Sequence, residues 1–307
     1  MIQLLTSVLR FSRLPELVRR FTKDRVAVIL YHDPPPDIFE SHLRYLSRHY
    51  EFVSYEQVVS ALLNRDWGAI PQNALVIHFD DGYRGNAALI DICARFNVVP
   101  TLYLCSHVVA TNCRFWSKLK QGKSKHLRLV TNKVLLEKLQ EEAGYNPAKA
   151  YPTREALSQG ELRAMARQFD FQSHGRHHFS AVTMDEIELE RELAESRDRV
   201  EKLTKNSCNH FSFPYGDYDA RELEAVKDAG YITARTTRPG WVSAGSDPHQ
   251  IPIVADVPGN ASVNELSIHL TGIPRFLKRF VYRAITRHIY SLRQRRLMAK
   301  RFFQQTD

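Results

Sequence analysis

Short apolar segments alternate with longer amphipathic segments along most of this 307-residue chain. The short segments are rich in β-branched and apolar residues, as buried strands are, and the longer ones place apolar residues at helical spacing. Strands that alternate with helices of about ten residues or more indicate parallel βα units. About seven such units predict a single barrel-like α/β domain, with its functional site at the carboxyl ends of the strands. The strands are predicted at 26–32, 52–54, 74–79, 100–106, 169–174, 209–214, 231–237 and 249–254.

Three parts of the chain do not follow this alternation. Residues 107–157 are polar and rich in lysine, with one helix predicted in NKVLLEKLQEEAG, and we interpret them as an insertion between two βα units. The two ends are basic: of the net charge of +9, residues 1–25 carry +4 and residues 273–303 carry +10, so −5 remains for the rest. The predicted organisation is a barrel domain at 26–272 between a basic amphipathic segment at 1–25 and a basic amphipathic helical segment at 273–307.

The N-terminus and the cysteines indicate the cellular compartment of the protein. The first 21 residues contain a short apolar stretch that Arg10 and Arg13 interrupt, and they lack the small-residue cleavage site of a secretory signal. No window reaches the roughly 18 consecutive apolar residues of a membrane-spanning helix. The four cysteines form no CxxC pair and are expected to be free thiols in a reducing compartment. We therefore expect the protein to be cytoplasmic.

Two adjacent carboxylates end the strand predicted at 74–79. In LVIHFDDGYRGN, residues 75–86, Asp80 and Asp81 follow an apolar run that only His78 breaks. Adjacent carboxylates repel each other unless a positive charge lies beside them. Asp-Gly is also a common turn dipeptide, so a turn and a metal site are both possible explanations of the pair alone.

Two further motifs follow predicted strands. SHGRHH, residues 173–178, places His174 and His178 four residues apart, and FPYG, residues 213–216, forms a Pro-Tyr-Gly turn. Two imidazoles and one carboxylate suit zinc or a similar divalent cation, and they leave positions open for water and substrate. A solvated loop or a plain turn would explain each motif alone. Their shared place at the ends of parallel strands favours a functional site.

In this order, HFDDGY, SHGRHH and SFPYG resemble the three main motifs of the polysaccharide deacetylase family, the NodB-homology domain of carbohydrate esterase family four. The resemblance covers roughly residues 26–272. It implies a deformed (β/α) barrel that removes acetyl groups from N-acetylated sugars with a divalent metal, for which Zn²⁺ is the expected ion. By motif position it implies one catalytic base, three metal ligands and one backbone amide that helps to hold the oxyanion: Asp80, then Asp81, His174 and His178, then Tyr215.

Two positions depart from the family pattern. The residue after the first histidine ligand is usually Ser or Thr and is Gly175 here, which removes a hydroxyl that could hold the loop. The position two residues before the proline often carries an arginine and is Ser212 here. The residue that tethers Asp80 is therefore expected elsewhere, with Arg235 and Arg238 as candidates.

The general acid of this family is usually a histidine late in the chain, where His249 and His269 are the candidates and His269 lies in an amphipathic helix pattern. We favour His32 instead, because it ends the first strand and so lies on the same face as the other motifs. Its context, ILYHD, and the following FESHLRYLSRHYEFVS resemble the biofilm poly-N-acetylglucosamine deacetylases, in which the motif order is permuted and the acid histidine comes first. A capping or core histidine is the alternative interpretation of His32.

The resemblance implies hydrolysis of an N-acetyl group on an amino sugar during surface polysaccharide or glycolipid assembly. In that reaction Asp80 would take the proton of the attacking water and His32 would protonate the leaving amine. Two alternatives keep the fold: a catalytically silent carbohydrate-binding or scaffold protein, and a deacylase of another amide or of an O-acetyl ester. A nucleic-acid binder is disfavoured because no nucleic-acid motif is present and the body is net negative.

The basic C-terminal segment carries an apolar stripe at helical spacing. Either this helix packs on the barrel with a solvated basic face, or it lies in a membrane interface that anionic lipid makes attractive. Under the second hypothesis the enzyme is peripheral on the cytoplasmic face of the membrane, where a lipid-linked N-acetylated sugar would be presented. The N-terminal segment would add a second contact. The apolar residues are Phe276, Leu277, Phe280, Val281, Ala284, Ile285 and Ile289, with Ile2, Leu5, Leu9 and Leu14 at the other end.

Overall fold

The computed structural model describes residues 13–119, 127 and 129–277. Within those residues, nine β-strands form one sheet in which every strand pairing is parallel. Each predicted strand has a counterpart among them. In chain order they are β1 (Ala27–Tyr31), β2 (Glu51–Phe52), β3 (Ala74–Asp81), β4 (Thr101–Leu104), β5 (Asp170–Ser173), β6 (His210–Ser212), β7 (Thr233–Pro239), β8 (Ile251–Ile253) and β9 (Ala255–Asp256).

The sheet curves into a nearly closed barrel. Its strand order is β8-β7-β6-β5-β4-β3-β1-β9, with the short β2 beside β3. Only Val254 separates β8 from β9, so one stretch of chain pairs with β7 on one side and with β1 on the other. The amide of Val254 donates to the carbonyl oxygen of Val28 at 2.8 Å, where this stretch crosses to β1. The predicted barrel is confirmed, but its path contains eight strands rather than about seven, because the short β9 follows the strand predicted at 249–254 and pairs with β1.

The described part of the chain contains nine α-helices, seven of them between strands, and residues 273–277 are also helical. Four of them begin with a capping box, which satisfies backbone amides at the helix start and is worth about 1 kcal/mol per cap. The helices are α1 (Leu14–Phe21), α2 (Pro36–Leu46), α3 (Tyr55–Leu63), α4 (Ile90–Arg95), α5 (Asn132–Ala143), α6 (Gln159–Met165), α7 (Glu186–Thr204), α8 (Ala220–Asp228) and α9 (Val263–His269).

The central strands are buried on both faces, as strands of a parallel barrel are. Every residue of β1 and of β3 is buried, including the two aspartates that end β3. The apolar run before those aspartates therefore anchors their backbone rigidly in the core. The four cysteines are buried and unpaired, as predicted.

The insertion at 107–157 packs on the barrel rather than standing apart from it. Phe115, Trp116, Leu135 and Leu139 are buried in the same apolar core as the strands, and each such side chain contributes about 1.5–3 kcal/mol on burial. The helix predicted in this insertion is α5, which Gly144 ends with a left-handed φ of 59°. The insertion thus contributes side chains to the face of the barrel that carries the site.

Parts of both basic ends are attached to the barrel. Arg19 in α1 donates to the carbonyl oxygen of His49 at 3.1 Å, and the ring of Phe276 stacks on Trp241. The predictions for residues 1–12 and 278–307, including most of the apolar stripe, lie outside the described residues. Among the helices that are described, none combines the length and the apolar character needed to cross a membrane.

Candidate active site

The strand registers bring the predicted site residues to one face of the barrel. Phe79 in β3 pairs with Tyr31 in β1, so His32 lies level with the aspartates. Asp81 pairs with Leu104 in β4, which pairs with Ser173 in β5, so the residue after Ser173 lies beside Asp81. That residue is His174. Because all these strands are parallel, their carboxyl ends meet at the same rim, as the sequence predicted.

Three site residues have a left-handed backbone. The φ angles are 74° at Asp81, 64° at His178 and 61° at Tyr215. For a non-glycine residue this conformation costs about 1–2 kcal/mol, so the surrounding contacts must impose it. At Asp81 these contacts are visible: its carbonyl oxygen accepts from the amide of Cys105 at 3.1 Å, and a Cβ on the next residue, Gly82, would lie 2.7 Å from Val109.

Asp81, His174 and His178 form a buried cluster whose candidate ligand atoms all lie within 4.8 Å of one another. Oδ1 of Asp81 is 3.4 Å from Nε2 of His178 and 3.7 Å from Nε2 of His174. Asp81 ends β3, and both histidines come from the loop that follows β5. The donor set, one carboxylate oxygen and two imidazole nitrogens, is one that divalent zinc prefers.

The hydrogen bond of His174 determines which of its nitrogens faces the cluster. Nδ1 lies 2.7 Å from the carbonyl oxygen of Ser212, which can only accept, so Nδ1 carries the proton. In the neutral form that metal ligation requires, Nε2 presents a lone pair toward Asp80 and Asp81, at 3.7 Å from an oxygen of each. Lone pairs that converge on carboxylates repel unless a cation lies between them. The residues present therefore fit a divalent cation.

The electrostatics of the cluster favour the ligand form of Asp81 and of His178. Burial alone would raise the pKa of Asp81, but His178, His32 and His174 beside it lower that pKa to about 2. Burial lowers the pKa of His178 to about 4, against the opposing effect of Asp81. Near neutral pH the carboxylate is ionised and this imidazole is neutral, which is the protonation state that metal ligation requires.

Asp80 is tethered by Arg235, a residue of the adjacent strand rather than of the third motif. Nη2 of Arg235 donates to Oδ1 of Asp80 at 2.7 Å and to Oδ2 at 2.5 Å, and it also contacts Oγ of Ser212. Ser212 in β6 pairs with Arg235 in β7, so the missing arginine of the motif is supplied one strand along. The other candidate, Arg238, instead donates to Gln250. The signal in the sequence was a lone arginine within an otherwise uncharged predicted strand.

His32 lies at the same rim and is the most accessible of the predicted site residues. Its side chain is 41% exposed, and Nδ1 is 3.8 Å from Oδ1 of Asp256, the last residue of β9. Sequence reasoning missed Asp256, although it follows a predicted strand as the other site residues do. His249 lies at the opposite end of the barrel. It precedes β8, and its ring forms a hydrogen bond with the carbonyl oxygen of Tyr231, which precedes β7. His269 ends α9 and is half-buried.

Tyr215 lies in the tight turn that follows β6, against the cluster of Asp81, His174 and His178. Its ring is perpendicular to that of His178 with centroids 4.5 Å apart, and the centroid of the Trp116 ring is 6.1 Å away. Nε1 of Trp116 donates to the carbonyl oxygen of His177 at 3.0 Å, so the insertion supports the histidine loop. Sequence reasoning also missed Trp116, because nothing local indicates that the insertion folds back over the rim.

Comparison with known proteins gives one family and several related folds. The family model described as polysaccharide deacetylase matches residues 68–234. The Streptococcus pyogenes deacetylase PplD, solved in complex with acetate, is 17% identical with a TM-score of 0.59, over 80% of this chain and 98% of that one. IcaB from Ammonifex degensii is 13% identical with a TM-score of 0.59, over 80% and 97%. A de-N-acetylase from Aggregatibacter actinomycetemcomitans is 15% identical with a TM-score of 0.57, over 80% and 100%.

At such identities the likeness to the solved structures establishes the fold alone. No curated protein sequence matches the chain.

Proposed function

The chain belongs to the polysaccharide deacetylase family, and on that premise we propose that it hydrolyses the N-acetyl group of an N-acetylated amino sugar in a glycan or a glycolipid. The observation that carries the proposal is the buried cluster of Asp81, His174 and His178 beside an aspartate tethered by arginine. A binding protein would have no need to hold Asp80 and the cluster 3.7 Å apart in a desolvated rim. Hydrolysis needs both a base and a cation within reach of one water.

Asp81, His174 and His178 would hold the cation, with Zn²⁺ as the expected ion. When bound, such a cation lowers the pKa of a coordinated water toward about 7 and polarises a carbonyl group. The protein supplies three oriented ligands and excludes bulk water around them, since all three side chains are buried. Nδ1 of His174 remains engaged with Ser212, which keeps its ring in the ligating orientation.

Asp80 would accept the proton of the attacking water. Its two oxygens share Nη2 of Arg235, and this fixed hydrogen-bonding partner sets the orientation of the carboxylate. The two adjacent aspartates thus have separate partners: Asp80 is paired with an arginine in β7, and Asp81 faces His178. This division explains why two carboxylates can be adjacent at the end of a buried strand.

The amide of Tyr215 would donate to the oxyanion that forms on the acetyl carbonyl, because the turn at 214–216 places this residue against the ligand His178. His32 would then donate a proton to the leaving amine. Its exposed position would let it reach the sugar, and a carboxylate oxygen of Asp256 lies 3.8 Å from its Nδ1. The products are acetate and a free amino sugar.

Acetate release tests this proposal. The metal-loaded protein is incubated with short oligomers of N-acetylglucosamine, with an O-acetylated sugar as the comparison, and acetate is measured over time. Release from the N-acetyl substrate supports the proposal. Release only from the ester would instead indicate an O-deacetylase, and binding of the oligomer without acetate release would indicate a carbohydrate-binding protein on this fold.

We also propose that the enzyme acts in surface polysaccharide assembly, as a peripheral protein on the cytoplasmic face of the membrane. The support is the placement of the two basic ends. The side chains of Leu17 and Phe21 in α1 are 50% and 78% exposed, and those of Phe276 and Leu277 are 46% and 54% exposed. α1 shares a cleft with Leu270, so α1 lies near the start of the helical residues 273–277.

A further inference from the structure

The two histidines of the cluster lie in one short loop, residues 173–178, which we call the ligand loop. The distance between the two histidine side chains depends on how the backbone between His174 and His178 is held. On one side, the carbonyl oxygens of Gly175 and Arg176 accept from the amides of Ser106 and His107, at 2.9 and 3.0 Å. These bonds attach the loop to the chain that follows β4. These bonds use only the carbonyl oxygens, so the amides of the same two residues need acceptors on the opposite side of the loop.

Helix α7 supplies the contacts on that opposite side. Oε1 of Glu192 accepts from the amide of Arg176 at 2.5 Å, and the residue is only 5% exposed. One turn further along α7, Oγ of Ser196 lies 2.9 Å from Oγ of Ser173, which in turn accepts from the amide of Gly175 at 3.2 Å. The spacing of four residues places both side chains on one face of α7, directed at the ligand loop.

Gly175 and Glu192 fit each other closely. A Cβ at position 175 would lie 2.6 Å from Oε1 of Glu192, a separation that real Cβ atoms do not show. The φ of Gly175 is 75°, a conformation that also favours glycine. The carboxylate therefore occupies the space that any side chain at this position would take. Burying a carboxylate costs free energy unless the group is hydrogen-bonded, and here the amide of Arg176 is the group that it binds.

We propose that Glu192 is the positioning residue of the metal-ligand loop: its carboxylate binds the loop backbone between the two histidines and so sets the spacing of His174 and His178 for the cation. This inference rests on the proposed function, because it concerns the same cation. Glu192 touches neither substrate nor reacting atoms. It acts through the backbone of Arg176, which lies midway between the two ligands.

The test compares Glu192→Ala with Glu195→Gln. Glu195 contacts the same loop residue, since its Oε2 is 3.2 Å from Nη2 of Arg176, but it is 46% exposed and binds the side chain rather than the backbone. We expect Glu192→Ala to weaken the Kd for Zn²⁺ about 10- to 100-fold, the usual effect of losing a group that orients ligands. The matched control Glu195→Gln should change that Kd less than about threefold, as expected for an exposed ion pair.

Substitution of Co²⁺ gives a readout that is independent of activity. The visible spectrum of bound Co²⁺ reports ligand geometry, so Glu192→Ala should shift or weaken its bands, and Glu195→Gln should leave them unchanged. Glu192→Gln keeps an oxygen that can accept from the amide of Arg176, and it should restore both the affinity and the spectrum. Wild-type affinity and spectrum in Glu192→Ala would overturn the proposal.

A second variant covers the case in which Glu192→Ala does not fold. Gly175→Ala retains the carboxylate but pushes against it, so it should also weaken Zn²⁺ binding, and unchanged affinity there would likewise contradict the proposal. Failure of the proposed function looks different. If the wild-type protein binds no Zn²⁺, the cation site itself is wrong. If the wild-type protein and Glu192→Ala both bind Zn²⁺ with the same Kd, only the role of Glu192 is refuted.

Discussion

Arg235 is one of the largest fully buried side chains of the described residues, and its charge is matched by Asp80. Removing one partner of such a pair leaves an uncompensated buried charge, which costs about 3–5 kcal/mol. The guanidinium also lies 5.2 Å from the centre of the Tyr103 ring. Its hydrogen bonds fix the orientation of Asp80, the carboxylate that would act as the base.

Replacing Asp80 with asparagine should separate catalysis from metal binding. Asp80→Asn keeps the shape of the side chain but leaves no group to accept the proton of the water, so kcat should fall about 100-fold or more. Asp81, His174 and His178 remain in place, so the metal content should be unchanged. Acetate release and elemental analysis of the same preparation measure both effects. Near wild-type kcat in Asp80→Asn would exclude Asp80 as the base.

Substitution of two histidines at opposite ends of the barrel tests which residue is the general acid. His32→Ala should lower kcat about 100-fold or more while the metal stays bound, because the proposed proton donor to the leaving amine is removed. His249→Ala removes a side chain that contacts Tyr231 at the far end and should turn over normally. Normal turnover in His32→Ala together with an inactive His249→Ala would mean that the acid lies late in the chain.

At the scale of elements, the turn after β6 determines where the amide of Tyr215 lies. Gly216 in this turn has a φ of 73°, and a Cβ there would collide with the side chain of Thr237. Gly216→Ala should therefore displace the turn and lower kcat about 10- to 100-fold with the metal retained, because an oxyanion donor loses its position.

Gly144→Ala is the matched control for this substitution. Gly144 has a φ of 59° but nothing within 4 Å of a Cβ, so alanine there should cost about 1 kcal/mol of stability and leave kcat unchanged. Thermal unfolding and steady-state kinetics of the two variants separate backbone strain from the collision with Thr237. Equal kinetics in the two variants would show that the position of the turn does not matter.

The elements were predictable because their signals are local, and the site was predictable only in part. Strand composition and helical spacing identified the strands and the helix of the insertion, and strand ends identified the rim. The short β9 after the last predicted strand depends on pairing with β1, which no local pattern encodes. Trp116 and Glu192 come to the site through packing of the insertion and of α7, and Asp256 through closure of the barrel. Trp116 and Glu192 left no local signal, whereas the position of Asp256 after a predicted strand was a signal that sequence reasoning did not use.

At the scale of the whole molecule, the positive charge is concentrated at the two ends of the sequence. The full-length protein should therefore sediment with anionic vesicles at low salt. Each Lys or Arg near the vesicle surface contributes about 1 kcal/mol of attraction. A version that ends at Leu277 keeps every described residue and should pellet much less. Added salt should release the full-length protein, since ions screen the attraction.

Neutral vesicles serve as the control for the charge dependence. They should retain little of the full-length protein at any salt concentration. If the full-length protein does not bind anionic vesicles at low salt, the membrane proposal is wrong, and the basic ends have another role.

The central claim is that Asp81, His174 and His178 hold a cation that the deacetylation requires, and metal content measured with acetate release tests it most directly. The wild-type protein should carry about one zinc per chain, as a three-ligand catalytic site does, and a chelator should abolish acetate release until Zn²⁺ is returned. Asp81→Ala and His174→Ala should lose both the metal and the activity while circular dichroism shows the barrel intact. Full metal content in both variants, or acetate release that survives chelation, would contradict the account.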